Sequence, residues 1–130
     1  MKPGVKLLPI AKLRAHEQVC PQRLVQVKAA ILQAGRINNP VIVDQKNKII
    51  LDGHHRVAGL KQLGCRLIPA MTVNYFSDTV RVYSWRKNLI ISKAAVAAAV
   101  LTNQTFPYKT TRHLIKNRIQ GVNIPLDRLR

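Results

Sequence analysis

Acidic side chains are scarce in this sequence: five Asp and Glu stand against 22 Lys and Arg in 130 residues, a formal charge of +17. A field of that sign draws polyanions, so nucleic acid, nucleotides or another acidic surface are the natural partners. It does not choose among them, and charge kept for solubility alone accounts for it as well. Cysteine is nearly missing. Cys20 and Cys65 lie far apart with no close pair, which argues against a disulfide framework. The four histidines and two cysteines also show none of the spacings that zinc sites favour. Long apolar runs are lacking too. The opening MKPGVKLLPIAKLRAHEQ holds no stretch of signal-peptide length, and AAVAAAVL is too short to span a bilayer. The expectation is a soluble, cytoplasmic protein with no membrane partner.

What is present suffices for a core. Apolar residues make up 47% of the chain, and its length suits one domain rather than two. PQRLVQVKAAILQAG reads as a helix, with Leu24, Val27, Ile31 and Ala34 on one face, Pro21 in the first turn and Gly35 just past the end. Val41 to Val43 and Ile49 to Leu51 are short apolar runs on either side of a polar turn, predicting a hairpin of buried strands. Val57, Leu60 and Leu63 share a helical stripe that stops at Gly64. Met71, Val73 and Tyr75 alternate as in a strand, as do Val80 and Val82, with Asp78 in the turn between. Ser92 is placed to cap a helix through the alanine-rich segment. FPYKTTRH then reads as a loop leading into a last short helix, about 111–117. The expectation is a single α+β domain, 1–130, with its core over about 5–86 and a helical C-terminal extension over 87–130.

Chemistry gathers at LDGHHRVAGLKQLG. Asp52, Gly53, His54, His55 and Arg56 fall between a strand and a helix, and a helix start offers unpaired N–H groups to an anion. Gly53 allows a close backbone approach, Arg56 offers a fork that matches phosphate, and the histidines add donors that titrate near neutrality. Asp52 would repel a bare phosphate. It fits there if it holds Mg²⁺ that bridges carboxylate and phosphate oxygens. The plain alternative is a turn and helix cap. Glu17, the one glutamate, suits a general base or, equally, a helix-start surface position. Lys109, Thr110, Thr111, Arg112 and His113 form a basic cluster able to hold an anionic product, or merely a solvated cap.

The segment NNPVIVDQKNKIILDGHHRVAGLKQLG resembles the ParB/sulfiredoxin fold family over roughly residues 7–75. That resemblance implies a small mixed sheet flanked by helices. Sulfiredoxins carry a loop cysteine where this chain has His54, and chromosome-partitioning ParB proteins have a different loop and a helix-turn-helix domain. The free L-serine kinases are the branch that fits. LRAHEQVCPQRL is similar to their segment with a catalytic glutamate, VRVYSWRK to their substrate-side segment with a tryptophan, and FPYKTTRHLIKNRIQGVNIPL to their C-terminal signature.

The resemblance implies phosphorylation of L-serine to O-phospho-L-serine by ATP or ADP with Mg²⁺. Glu17 and Asp52 would be catalytic, Asp52 also holding the metal, and residues Gly53, His54, His55 and Arg56 would bind the nucleotide phosphates. Trp85, Lys109, Thr110, Thr111, Arg112 and His113 would bind the substrate. Only Arg86 to Tyr108 separate the tryptophan from the signature, which predicts a reduced lid over the site. The rival is a ParB-like DNA-binding protein without kinase activity, whose duplex affinity would fall steeply with salt. Non-specific nucleic-acid binding through the +17 charge would accompany either.

Overall fold

A computed structural model describes residues 2–130. Its centre is a four-stranded mixed sheet. Strand β3 (Val41–Asp44) pairs antiparallel with β4 (Ile50–Asp52) and parallel with β5 (Leu67–Val73), and β5 pairs antiparallel with β1 (Val5–Pro9). All four residues of β3 are buried. That is why Val41 to Val43 reads as a continuous apolar run instead of an alternating one: both faces of the strand are covered.

On one face Val41, Val43, Ile50 and Ile68 pack with Ile31 of α1 (Pro21–Ala34) and with Val57 and Leu60 of α2 (His54–Gln62). On the other, Ile42, Ile49 and Leu51 meet Tyr75 and the Val96–Val100 stripe of α3 (Lys93–Leu101). The expected punctuation is in place. Pro21 opens α1, Gly35 closes it in the left-handed region at φ 69°, and Ser92 accepts a hydrogen bond from the Ala95 N–H to cap α3.

The predicted last helix is a strand. β7 (Thr111–Ile115) pairs antiparallel with β6 (Val80–Ser84), Val82 lying opposite His113. Thr111 and His113 are buried while Arg112 and Leu114 are exposed, a period of two that a helix cannot give. With only five residues and β-branched Thr at its start, the segment has too little local preference to resist pairing. The rest of the C-terminal region also returns to the domain. β8 (Ile124–Pro125) pairs with β2 (Arg36–Ile37), and Ile124, Leu126 and Leu129 complete the core beneath α1 and α2. Among the described residues, no helix is long and apolar enough to cross a membrane.

Candidate active site

The β4–α2 turn is where the backbone meets the cleft. Gly53 precedes the helix at φ 107°, ψ 24°, and no side chain caps the helix start. A Cβ at this position would lie 2.4 Å from Val41 Cγ1 and 3.1 Å from an Arg56 guanidinium nitrogen. Only glycine fits between the buried strand and the opening turn of α2. The start of α2, residues 53–56, thus borders a cleft of about 590 Å³ without a side-chain cap on its first N–H groups.

Across that cleft stands Glu17. Its Oε1 accepts from the Lys109 N–H at 2.6 Å, and its Oε2 accepts from the Thr111 N–H at 3.2 Å and lies 2.6 Å from the Thr111 hydroxyl. Lys109 adopts φ 58°, a left-handed conformation uncommon for a non-glycine residue, and in doing so aims its N–H at the carboxylate. A segment 92 residues further along the chain therefore holds the single glutamate in position. Glu17, Asp52, Gly53, His54, His55, Arg56, Trp85, Lys109 and Thr111 all line the one cleft.

Asp52 is half-exposed and engaged by two guanidiniums. Arg118 pairs with its Oδ2, and Arg56 lies 3.4 Å from the same oxygen. Arg56 also donates to the Asn39 carbonyl at 2.7 Å. Burial lowers its proton affinity, Asp52 works against that, and Arg118 adds to it. Asp52 Oδ1 has no hydrogen-bond partner among the described residues, and no group of three His, Cys, Asp or Glu gathers there. This fits an ion that keeps most of its waters and takes its other ligands from phosphate, as Mg²⁺ does. It does not fit a cation caged by protein. With Arg23, Arg36, Arg56, Lys109 and Arg118 around the rim, the cleft is strongly cationic.

The two histidines after Gly53 do other work than offering charge. His54 Nε2 accepts from the His16 N–H at 3.2 Å, and His55 Nε2 accepts from the Cys20 N–H at 3.0 Å. Together they clamp residues 16–20, and with them Glu17, to the start of α2. Burial drives the His54 proton affinity well down, and lowers that of His55 with help from Arg23. Neither ring is disposed to carry charge toward a phosphate.

The Lys109–His113 cluster divides. Lys109 and Thr111 line the cleft, whereas Thr110 is fully buried and donates to the Pro107 carbonyl at 2.6 Å. His113 is buried beneath the sheet edge, its Nε2 2.9 Å from the Tyr75 hydroxyl. Burial pushes its pKa down to about 3, with His16 contributing in the same direction. Arg112 is exposed and stacks on Trp85 at 5.0 Å, and the Lys109 ammonium lies over the same ring at 5.3 Å. Thr110, Arg112 and His113 do not line the cleft: alternation along β7 turns Arg112 outward, Thr110 is spent on the Pro107 carbonyl, and His113, on the same side as Thr111, is engaged with Tyr75. Trp85 stays half-exposed at the rim instead of entering the core. No residue from 86 to 107 lines the cleft.

Sequence reasoning passed over His16 and Arg118. Arg118 lies 66 residues from Asp52, and no spacing rule connects them. His16 carried one signal, its place next to the only glutamate. The stripe on α1 read as core also serves the cleft, since Val27, Ile31 and Ala34 line its wall.

The mixed sheet, with its glycine turn at a helix start, is a fold shared with solved free serine kinases. A solved structure of a free serine kinase in complex with AMP superposes with a TM-score of 0.90, covering 100% of this chain and 95% of that one at 17% identity. No family model matches the chain. In sequence it is related to an ATP-dependent L-serine kinase of Staphylothermus marinus, 33% identical over 88 residues, covering 65% of this chain and 35% of the relative. It is also related to an ADP-dependent L-serine kinase of Thermococcus kodakarensis, 33% identical over 82 residues, covering 60% and 34%. A ParB-like protein of Sulfolobus acidocaldarius is 38% identical over 76 residues, 58% of this chain and 38% of that protein. The matched segment spans about a third of the length of these relatives.

Proposed function

We propose that the chain is a nucleotide-dependent kinase of free L-serine, producing O-phospho-L-serine. The observation that carries this reading is the placement of the one glutamate and the uncapped start of α2 in the same cleft. The relatives named as L-serine kinases support the choice of substrate, and their names include both ATP- and ADP-dependent enzymes.

Each part has a task the chemistry requires. The α2 N–H groups, Arg56 and Arg118 hold the terminal phosphates and offset their charge. Asp52 Oδ1 would hold Mg²⁺, which supplies further charge neutralisation on the phosphoryl oxygens. Glu17, fixed by the Lys109 and Thr111 N–H groups, is aimed to take the proton of the substrate hydroxyl. Lys109 and Trp85 form the rim where a small zwitterion can be gripped, the ammonium of Lys109 meeting its carboxylate. Thr110, Arg112 and His113 support this arrangement from behind: a buried hydroxyl, a stack on Trp85 and a bond to Tyr75.

The test is direct. The protein is incubated with L-serine, Mg²⁺ and either ATP or ADP, and phosphoserine is measured. Glu17→Gln should lower kcat by about 100-fold or more while nucleotide affinity stays within about twofold. Full activity in that variant would remove the proposed base. Duplex DNA binding through the +17 charge is the second reading, favoured by the ParB-like relative. It predicts salt-sensitive affinity with no phosphoserine formed.

A further inference from the structure

We propose that His16 is the far end of a proton relay, in which the proton taken by Glu17 from the substrate hydroxyl passes through the Thr111 hydroxyl to His16 Nε2. The proposal rests on the kinase reading above. Three short contacts in a row carry it. His16 Nδ1 lies 2.7 Å from the Ile50 carbonyl oxygen, His16 Nε2 lies 2.7 Å from Thr111 Oγ1, and Thr111 Oγ1 lies 2.6 Å from Glu17 Oε2.

Counting hydrogens shows what this row can do. A carbonyl only accepts, so Nδ1 carries a hydrogen. Two contacts remain, Nε2 to Oγ1 and Oγ1 to Oε2, and the threonine hydroxyl has a single hydrogen to place between them. With a neutral imidazole and an ionised Glu17, one contact sets lone pair against lone pair. One added proton turns both into hydrogen bonds. The unit is thus one proton short of satisfaction, and the transfer reaction releases one proton.

The step balances. Serine Oγ forms its bond to the transferred phosphorus as the bond from that phosphorus to the nucleotide's bridging oxygen breaks, and that oxygen keeps the electron pair. The serine proton goes to Glu17. Thr111 then hands its own proton to Nε2 and receives the one on Glu17. The carboxylate is restored, and an imidazolium stands 3.6 Å from it with its Nδ1–H on Ile50. After product leaves, the proton returns by the same path to the open cleft.

The surroundings suit a transient charge. His16 is fully buried, and the titratable groups facing it are Glu17, His54 at the start of α2 with ring centroids 4.6 Å apart, and His113 on β7 at 5.3 Å. Burial lowers its proton affinity on balance, so it gives the proton back, while Glu17 and the Ile50 carbonyl offset part of that penalty. His54 uses Nε2 to accept from the His16 backbone and His113 uses Nε2 for Tyr75, so neither competes for the Thr111 hydroxyl.

His16 is on this view a positioning and proton-holding residue, and the test separates that from mere support. Phosphoserine formation is followed against pH for the wild type, His16→Gln, Thr111→Val, Thr111→Ser and the His16→Gln/Thr111→Val double variant. His16→Gln and Thr111→Val should each lower kcat by about 10–100-fold with the nucleotide KM within about twofold. Thr111→Ser should recover most of the rate, and the double variant should be no slower than either single one, as for residues acting as one unit. A His16→Gln enzyme with wild-type kcat and pH profile overturns the relay. So does a Thr111→Ser enzyme as slow as Thr111→Val. A second measurement needs no activity: in ¹⁵N-histidine-labelled protein, Glu17→Gln should move the His16 Nε2 resonance. An unmoved resonance breaks the connection itself, whereas absence of phosphoserine in the wild type overturns the kinase reading.

Discussion

Replacing Gly53 with alanine tests the geometry on which the proposed phosphate site depends. Two costs add. The residue sits at φ 107°, where an L side chain is strained by about 1–2 kcal/mol. The new Cβ would also meet Val41 Cγ1 at 2.4 Å and Val41 Cβ at 2.9 Å. Val41 is fully buried in β3 and cannot swing aside, so the overlap costs a further 1–3 kcal/mol, as over-packed cores do, for a total of about 2–5 kcal/mol. Against a typical domain stability of about 5–15 kcal/mol, that is a large fraction. Urea unfolding should show a lower midpoint with an unchanged m-value. Gly64→Ala is the control: its φ is +80°, but no atom lies within 4 Å of the added carbon, so only the backbone cost applies. If Gly53→Ala proves no more destabilising than Gly64→Ala, the close-contact argument is refuted. A folded Gly53→Ala protein should also bind nucleotide more weakly, because relief of the clash moves the N–H groups that start α2.

Arg118→Ala should weaken ADP binding by about 10–100-fold in calorimetry, the worth of one charge-assisted hydrogen bond of about 1.5–3 kcal/mol; unchanged affinity would assign Arg118 to Asp52 alone. Stability should fall as the solution is acidified, through His113 together with the other buried histidines, His16 and His54. The folded-state pKa of His113, near 3, lies below the unfolded value of 6.5, so its contribution is complete above about 6.5 and is lost as pH drops toward 3, by at most about 4–5 kcal/mol. His113→Gln, which can still meet the Tyr75 hydroxyl, should flatten that dependence in urea titrations between pH 7.5 and 4.5, and an unflattened profile would place the acid sensitivity elsewhere.

Local pattern was enough to read much of this molecule. The stripe and end signals of α1, the β3–β4 hairpin and the glycine turn before α2 arise from interactions between near neighbours, which sequence displays directly. Residues 111–115 are different. Their strand state is set by β6, some thirty positions earlier, and so five residues that look like a loop and helix start become an alternating edge that sends Thr111 and His113 inward and Arg112 out. The likeness of the Lys109–His113 motif to a kinase signature pointed to a segment that borders the cleft without saying which of its side chains reach it.

By itself the sequence determined a basic domain with one glutamate, an anion-ready turn at residues 52–56 and two layers of buried apolar runs, because charge count, backbone freedom and hydrophobic period are properties of the chain alone. Tertiary structure alone decided that Lys109 and Thr111 fix Glu17, that Arg118 closes on Asp52, and that His54 and His55 serve as clamps. Those are contacts between residues 35 to 94 positions apart, and their partners are chosen by how the layers stack rather than by any neighbouring residue.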